Sequence, residues 1–454
     1  MKTKYFNRLA MSFLVGCGII SVLSSCRFED EDYFDQSAAL RIEETSKAIQ
    51  ETLVSAPNGW VMQYFVAGTS DYSFEGFNIF AKFENNQKVT LASDHRFLRD
   101  GNAGKYTEYA SLYEILKEDG PVLAFNTWND VLTPFVDPVD PSKAPGVLDK
   151  DGEGMKGDNN LVVLSYNNEE VLLRGERHGA RVRLIPCNSS WQEYIDATNK
   201  LKNYITSNIV TSYYVCNETD TLYFKNLRSG VITYCERVID PLFPTTLNCV
   251  FTPSGFRLHH KNKLGDVEFQ EFKIDADSTC LMSEDNTVRV IACWDNYITN
   301  FNTVWTFDQE EMTPEQKTIY AALEEELKKA NSTMTLKSLG LGSGGTVNGQ
   351  AVRGLVLSYS YRSKSRTVNA VATIALDMVK ESFGTFKVSY SNDAIIDGNL
   401  GNFSNLPAND VQGRMRAFAA TLDGTYSITP NHYFQPTEAR FESKTGGSSF
   451  TLKK

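Results

Sequence analysis

The heptapeptide Phe77-Asn78-Ile79-Phe80-Ala81-Lys82-Phe83 places an apolar residue at every odd position. Side chains alternate between the two faces of a strand, so this pattern predicts a strand with one face buried and the other solvated. Residues 355–361 (LVLSYSY) and 386–390 (FKVSY) alternate in the same way. Half-buried strands of this kind are typical of antiparallel sheets. The sequence therefore predicts an α+β fold that is mainly β.

A helix-like segment precedes each of three runs of strands. Ser37–Val54 has roughly helical apolar spacing, a second helix is predicted near Trp191–Ile205, and a third begins at Thr313-Pro314 and runs to about Ala330. We expect antiparallel sheets, each with a packed helix, arranged as three helix-plus-meander units. The boundaries we assign are 36–188 for an N-terminal α+β unit, 189–306 for a middle β-rich unit with six Cys, and 307–454 for a C-terminal α+β unit.

The first 25 residues have the order of an export signal peptide. Lys2, Lys4 and Arg8 give a positive start, an apolar run follows, and Ser24-Ser25-Cys26 resembles the bacterial lipobox. The apolar run is shorter than the ~18 residues that a membrane-spanning helix needs. A plain secretory signal and a retained helix are the alternatives. We expect cleavage after residue 25 and lipid attachment at Cys26, which would anchor the protein to a membrane.

Residues 26–35 form an acidic tether that contains four consecutive carboxylates, Glu29-Asp30-Glu31-Asp32. Its simplest interpretation is a solvated linker. It also resembles the acidic surface-export signal that Bacteroides-like bacteria place after the lipidated Cys. The sequence thus favours an outer-membrane lipoprotein that faces the cell exterior, with the periplasmic face as the alternative.

The charge of the mature chain excludes several partners. Loss of residues 1–25 leaves 42 Lys/Arg against 56 Asp/Glu, a net charge of −14. Nucleic acids and anionic lipid surfaces both require a basic face, so neither is an expected partner. With 41% hydrophobic residues, the chain can bury a large core.

Six cysteines remain in the mature chain outside Cys26, and all lie in its middle third. An exported protein permits disulfides, but several of these residues lie in strand-like apolar runs, so buried thiols are equally compatible with the sequence. No Cys-x-x-Cys and no zinc-finger spacing occurs. The six are Cys187, Cys216, Cys235, Cys249, Cys280 and Cys293.

Motifs that carry chemistry are few. The adjacent His259 and His260 lie in a strand-like run, which predicts that their side chains point to opposite faces and do not share a metal. Residues 340–345 (GLGSGG) match G-x-G-x-x-G, but a helix precedes them and strands follow, so we interpret them as a flexible loop. Residues 149–154 (DKDGEG) resemble the start of a calcium loop, yet Asn160 replaces the bidentate Glu at the twelfth position. The sequence assigns no catalytic, metal or cofactor residue.

Aromatic and acidic residues leave two interpretations open. The tryptophans are more often sheet core than sugar-stacking platforms. A carboxylate pair for glycoside hydrolysis must meet in space, which the positions of 56 Asp/Glu in a sequence do not reveal. The five tryptophans are Trp60, Trp128, Trp191, Trp294 and Trp305.

Several short motifs resemble the Bacteroidota lipoproteins of the domain-of-unknown-function family 4302. The resemblance implies an accessory lipoprotein of loci that also contain a TonB-dependent transporter and its lid-like binding partner. It brings no catalytic residues. The motifs are Phe34–Arg41 (FDQSAALR), Ser55–Trp60 (SAPNGW), Gly120–Asn129 (GPVLAFNTWN), Gly157-Asp158, Leu173-Arg174-Gly175 and Leu422–Tyr426 (LDGTY).

Three hypotheses of function remain. The first is a non-catalytic surface module that binds a nutrient, peptide or glycan for uptake, and it predicts a concave aromatic or acidic patch. The second is a hydrolase of glycans or peptides, which predicts two Asp/Glu with raised pKa values in a cleft. The third is a structural or adhesive surface protein. The absence of catalytic motifs favours a protein that is not an enzyme.

Overall fold

The computed structural model describes residues 37–67, 73–99, 101–137, 154–207, 209–235 and 245–454. These residues form a mainly β structure, with 44% strand and 21% helix in three antiparallel sheets, which confirms the predicted fold class. Within them, no helix has the length and apolarity needed to cross a membrane. Cys26, the signal peptide, the tether and residues 149–153 of the calcium-like loop lie outside the described residues.

The first sheet is a nine-stranded meander whose first and last strands pair with each other. Its order is β4-β3-β2-β1-β9-β8-β7-β6-β5, so only β4 and β5 have an open edge. The strands are β1 (Trp60–Phe65), β2 (Phe77–Phe83), β3 (Lys88–Ser93), β4 (Thr107–Leu112), β5 (Glu114–Lys117), β6 (Pro121–Ala124), β7 (Asn160–Tyr166), β8 (Val171–Gly175) and β9 (Arg181–Pro186).

The middle sheet is a closed barrel in which each strand pairs with two neighbours. Apolar side chains fill its interior, as is usual for eight strands. The strands are β10 (Ser212–Cys216), β11 (Thr221–Lys225), β12 (Val231–Cys235), β13 (Thr245–Thr252), β14 (Gly255–Leu264), β15 (Val267–Ile274), β16 (Leu281–Ser283) and β17 (Arg289–Ala292).

The third sheet repeats the strand order of the first, β21-β20-β19-β18-β26-β25-β24-β23-β22. The two nine-stranded units therefore share one topology, with the closed barrel between them in sequence. The strands are β18 (Trp305–Phe307), β19 (Thr335–Val347), β20 (Gln350–Ser363), β21 (Arg366–Ala375), β22 (Asp377–Ser382), β23 (Thr385–Ser389), β24 (Gly424–Pro430), β25 (Glu438–Gly446) and β26 (Phe450–Lys453).

Helices begin where the sequence places capping residues. Ser190 and Thr313 each form a capping box with the residue three positions later, Glu193 and Gln316, and satisfy amides that the first helical turn leaves free. All three helices predicted from the sequence are present. The seven helices of the described residues are α1 (Ala38–Ser55), α2 (Thr133–Val136), α3 (Trp191–Ile205), α4 (Trp294–Thr299), α5 (Pro314–Ala330), α6 (Gly398–Asn402) and α7 (Val411–Ala420), with short 3₁₀ turns at Leu227–Ser229 and Phe403–Asn405.

Residues 340–345 are not a flexible loop, as the sequence suggested, but the second half of β19. A Cβ at Gly342 would lie 2.6 Å from Cα of Val304, and one at Gly340 would overlap the carbonyl oxygen of Trp305. The glycines let β19 approach the β18 backbone closely. A pattern that resembles a flexible loop thus marks a site of tight packing.

The unit 189–306 contains five of the six cysteines and not all six, because Cys187 lies within 36–188 beside the first sheet. This residue directly follows β9, and its amide donates to the carbonyl of Gly59. All six cysteines are thiols, and the described residues contain no disulfide.

Candidate ligand site

Strand β1 is buried on both faces, and the face that points away from the core of the first sheet forms part of the site. Trp60, Met62 and Tyr64 point into the core of the first sheet. The outward face begins at Val61, which packs against Tyr194 and Ile195 of α3. The next outward residues, Gln63 and Phe65, lie beyond that helix and line a cavity against the barrel.

Strand register places charged residues beside them in two rows. Gln63 is opposite Arg183, which is opposite Leu172; Phe65 is opposite Arg181, which is opposite Arg174. Two like charges directly opposite each other destabilise a sheet. The Arg181 and Arg174 pair is therefore a cost to folding that a negative ligand would relieve.

The barrel supplies the facing wall through β14. Phe256 and Leu258 point into the barrel core, and the alternation turns Arg257 and His259 outward. The His259 ring stacks on Phe65 with their centroids 4.8 Å apart. The outward face of the first sheet and that of the barrel thus meet at this point.

The cavity between them has a volume of about 530 Å³, within the range of small-ligand sites. Five cationic side chains line it, and among the described residues no Asp or Glu does. We call it the basic pocket. Its lining residues are Gln63, Phe65, Leu164, Leu172, Leu173, Arg174, Arg181, Val182, Arg183, Arg257, His259, His260, Lys261 and Gln270.

Most of these cations lack a strong partner. Arg183 is neutralised by Glu170 and by Glu271, the latter at 3.2 Å. Among the described residues, Lys261 pairs with Glu268 at a distance of 3.8 Å. The structure shows no ion pair for the other three arginines in the part of the chain that it describes. Charge unbalanced in this way favours anions.

Two groups in the pocket have pKa values well below their usual ones. Burial, and then repulsion by Arg183, lowers the pKa of Arg257 to about 10. Burial, and then the neighbours His260, Arg181 and Arg257, lowers the pKa of His259 to about 3. His259 is therefore neutral near pH 7, while Arg257 remains charged.

The side-chain amide of Gln63 has no hydrogen-bond partner among the described residues. The residue is only 1% exposed, and neither its Nε2 nor its Oε1 makes a hydrogen bond; Nε2 of His259 is unpartnered as well. Leaving a buried polar group unsatisfied costs about 1–3 kcal/mol. A bound molecule with both a donor and an acceptor would remove that cost.

The sequence predicted the direction of the two histidines wrongly. The His259 and His260 rings lie 4.1 Å apart, and both line the basic pocket. A register irregularity between Arg257 and Asn262 breaks the alternation that would have separated them. In the described part of the chain, no group of three or more His, Cys, Asp or Glu is arranged to hold a metal ion.

The tryptophans divide as residue statistics suggest. Trp60, Trp294 and Trp305 are buried core residues, and Trp191 stacks on Phe80. Trp128 is 47% exposed, and the guanidinium of Arg99 lies 5.1 Å from its ring centroid. The core interpretation is thus confirmed for the first three.

Two carboxylate pairs bear on the hydrolase hypothesis. Repulsion by Glu176 raises the pKa of Glu118, but this pair is fully exposed. Burial, and then Glu271, raises the pKa of Glu284. Glu271 also pairs with Arg183, so the second pair lies beside the basic pocket without lining it.

Other residues in the sequence motifs have structural roles. The Asp158 carboxylate accepts hydrogen bonds from the amides of Arg177, His178 and Ala180 at 2.9–3.0 Å. A Cβ at Gly175 would overlap that carboxylate. Asp158 and Gly175 therefore fix the turn that connects β8 to β9, the two strands that carry three of the four arginines of the pocket.

Sequence reasoning did not identify the residues of the pocket. A signal was present, because Arg181-x-Arg183 and Arg257-x-His259-x-Lys261 repeat basic side chains with the period of a strand. The concave patch that the binding hypothesis predicted was aromatic or acidic, and the cavity found here is basic.

Comparisons with known proteins identify the family of this chain. The search of curated proteins found no match. Among solved structures, the crystal structure of the DNA polymerase III subunit beta from Pseudomonas aeruginosa is 8% identical, with 91% of this chain and 97% of that chain covered, and its TM-score of 0.11 does not indicate a shared fold. The profile of the family described as Domain of unknown function (DUF4302) matches residues 30–276, over half of the chain and all of the basic pocket. This chain therefore belongs to the DUF4302 family.

Proposed function

We propose that this protein is a lipid-anchored lipoprotein of the outer-membrane surface that binds an anionic ligand in the basic pocket. It would act without catalysis, as an accessory component of a TonB-dependent nutrient uptake system. Cys26 and the acidic tether support the anchor and its orientation. The resemblance of the motifs to lipoproteins from uptake loci supports a role beside a TonB-dependent transporter.

The basic pocket itself carries the binding part of the proposal. The chain is acidic overall, with a formal net charge of −11 before processing, yet five cations line this cavity. Like charges repel in a partly dry site, so their assembly costs stability. A negative ligand compensates for that cost, whereas a neutral ligand does not.

The test is calorimetric titration of the mature protein with small organic anions: citrate, glutarate, galacturonate, N-acetylneuraminate and the tripeptide Gly-Leu-Glu. We expect binding of at least one, weakened about tenfold or more by the double variant Arg181→Gln/Arg257→Gln. Rising salt concentration should weaken binding as well. The matched control is Arg366→Gln on the exposed part of β21, which should leave affinity unchanged.

Failure of all five anions to bind would refute the proposal. So would equal binding by the wild type and the double variant, because the anion would then be held somewhere other than the basic pocket.

The hydrolase alternative has one specific observation in its favour, the raised pKa of Glu284 beside Glu271. A carboxyl with a raised pKa next to a binding cavity is what a general acid requires. If a bound ligand is cleaved over time, and Glu284→Gln abolishes cleavage but not binding, the hydrolase replaces the non-catalytic module.

A further inference from the structure

The basic pocket also contains information about the class of its ligand, and this inference rests on the function proposed above. We propose that the ligand is a short peptide that carries a free carboxylate. Three features of the pocket point to this class: the buried amide of Gln63, the character of the apolar wall and the arrangement of the cations.

The Gln63 amide offers a donor group and an acceptor side by side, and both atoms are buried without partners among the described residues. The complementary group presents an acceptor and a donor at the same spacing. In an extended chain the N–H and C=O of one residue point to the same side and present a donor and an acceptor together, and a simple carboxylate, which only accepts, does not.

The cations of the pocket are a further feature. Arg174 and Arg181 face each other across β8 and β9, and Arg257 lines the same cavity from the barrel, so three guanidinium groups that have no ion pair among the described residues border one cavity. Guanidinium groups bind carboxylates through paired hydrogen bonds. A ligand whose amide reaches Gln63 would place its carboxylate on these arginines.

The apolar wall distinguishes a peptide from an acidic sugar. Sugars usually stack on an exposed aromatic face, and the pocket has one aromatic carbocycle, Phe65. Phe65 is almost fully buried, and His259 covers its ring. The apolar wall is instead aliphatic: Leu164, which is 61% exposed, and Leu172. Aliphatic walls suit the side chains of a peptide.

The variant Gln63→Leu tests the proposal without endangering the fold, because Gln63 makes no internal hydrogen bond that the substitution would break. We expect stability at least equal to that of the wild type. Calorimetric titration would compare Gly-Leu-Glu, which has amides and carboxylates, with glutarate, which has carboxylates alone. Gln63→Leu should weaken Gly-Leu-Glu about tenfold and leave glutarate unchanged.

The possible outcomes are distinct. If N-acetylneuraminate or galacturonate binds and Gly-Leu-Glu does not, the peptide inference is wrong and the anion-binding function stands. If Gly-Leu-Glu binds equally to the wild type and to Gln63→Leu, the role of the amide is wrong. If no anion binds, the proposed function fails first. Loss of peptide affinity in Gln63→Leu, with glutarate unaffected, supports the inference.

Discussion

Asp158→Ala is the substitution for which the structure supports the most detailed prediction. Asp158 is 3% exposed, and its two carboxylate oxygens accept the three amide hydrogens of the turn between β8 and β9. The Tyr64 hydroxyl lies between the backbone amide and carbonyl of the same residue, at 2.6 and 2.8 Å. The side chain therefore ties the turn to the centre of the first sheet.

Alanine would remove the acceptor from all three amides. Hydrogen bonds to a charged group contribute about 1.5–3 kcal/mol each, and they are not additive. Arg177 is exposed and His178 is partly exposed, so their amides can bind water, whereas the Ala180 amide is buried and would stay unsatisfied. We expect a loss of about 3–5 kcal/mol in the free energy of unfolding of the first sheet.

Hydrogen exchange detected by mass spectrometry is the suitable assay, because three packed units need not unfold in a single two-state transition. Peptides that cover residues 171–186 should exchange far faster in Asp158→Ala, and peptides of β24 and β25 should not change. Asp119→Ala, in the exposed turn before β6, is the matched control and should change stability by less than about 0.5 kcal/mol. A loss below about 1 kcal/mol in Asp158→Ala would refute this account of the carboxylate.

Two further predictions concern stability. His95 accepts the amide hydrogen of Phe97 at Nδ1 and donates from Nε2 to Val131, and burial lowers its pKa from 6.5 to about 4. Between pH 6.5 and pH 4 the unfolded chain binds more protons at His95 than the folded chain does. The free energy of unfolding of the wild type should therefore fall by about 3 kcal/mol more than that of His95→Asn as the pH drops from 6.5 to 4. Equal losses of stability in the two proteins would contradict this prediction. Gly340→Ala should cost about 3 kcal/mol, because its Cβ would overlap the Trp305 carbonyl oxygen and lie 2.8 Å from Cγ1 of Val304. Gly398→Ala, with nothing within 4 Å, is the control in urea titration, and similar midpoints for the two variants would restore the loop interpretation.

The elements that could be predicted from the sequence are those that local chemistry determines. The α3 and α5 helices begin at capping boxes that are visible in the sequence, and β2 has an alternation that needs no partner strand. The pairing of β1 with β9 spans more than a hundred residues, and no local pattern specifies it. Glycines 340–345 show the limit most clearly, since a flexible loop and a tightly packed strand use the same residue for opposite reasons.

The site was not predictable in the same way, and the reason lies in the topology. In the nine-stranded first sheet, most apolar side chains of the strands point into the core. Many side chains on the other face are polar, and from the sequence alone they look like solvated residues. Arg181, Arg183 and Arg257 occupy such positions, so each appears in isolation as an ordinary surface charge. They become a site only because the outward face of the first sheet meets the outward face of the barrel.

That contact also explains why the site lies between two units and not inside either. The barrel interior is filled by side chains such as Phe224, Phe256 and Phe272, and the interior of the first sheet is filled around Trp60 and Tyr64. Neither core has room for polar recognition without a loss of packing. The junction must already accept partial exposure, so unpaired charge costs less there than in a core. A ligand held by Gln63 on one side and Arg257 on the other would bridge the two units. Its binding should therefore stabilise the contact between them.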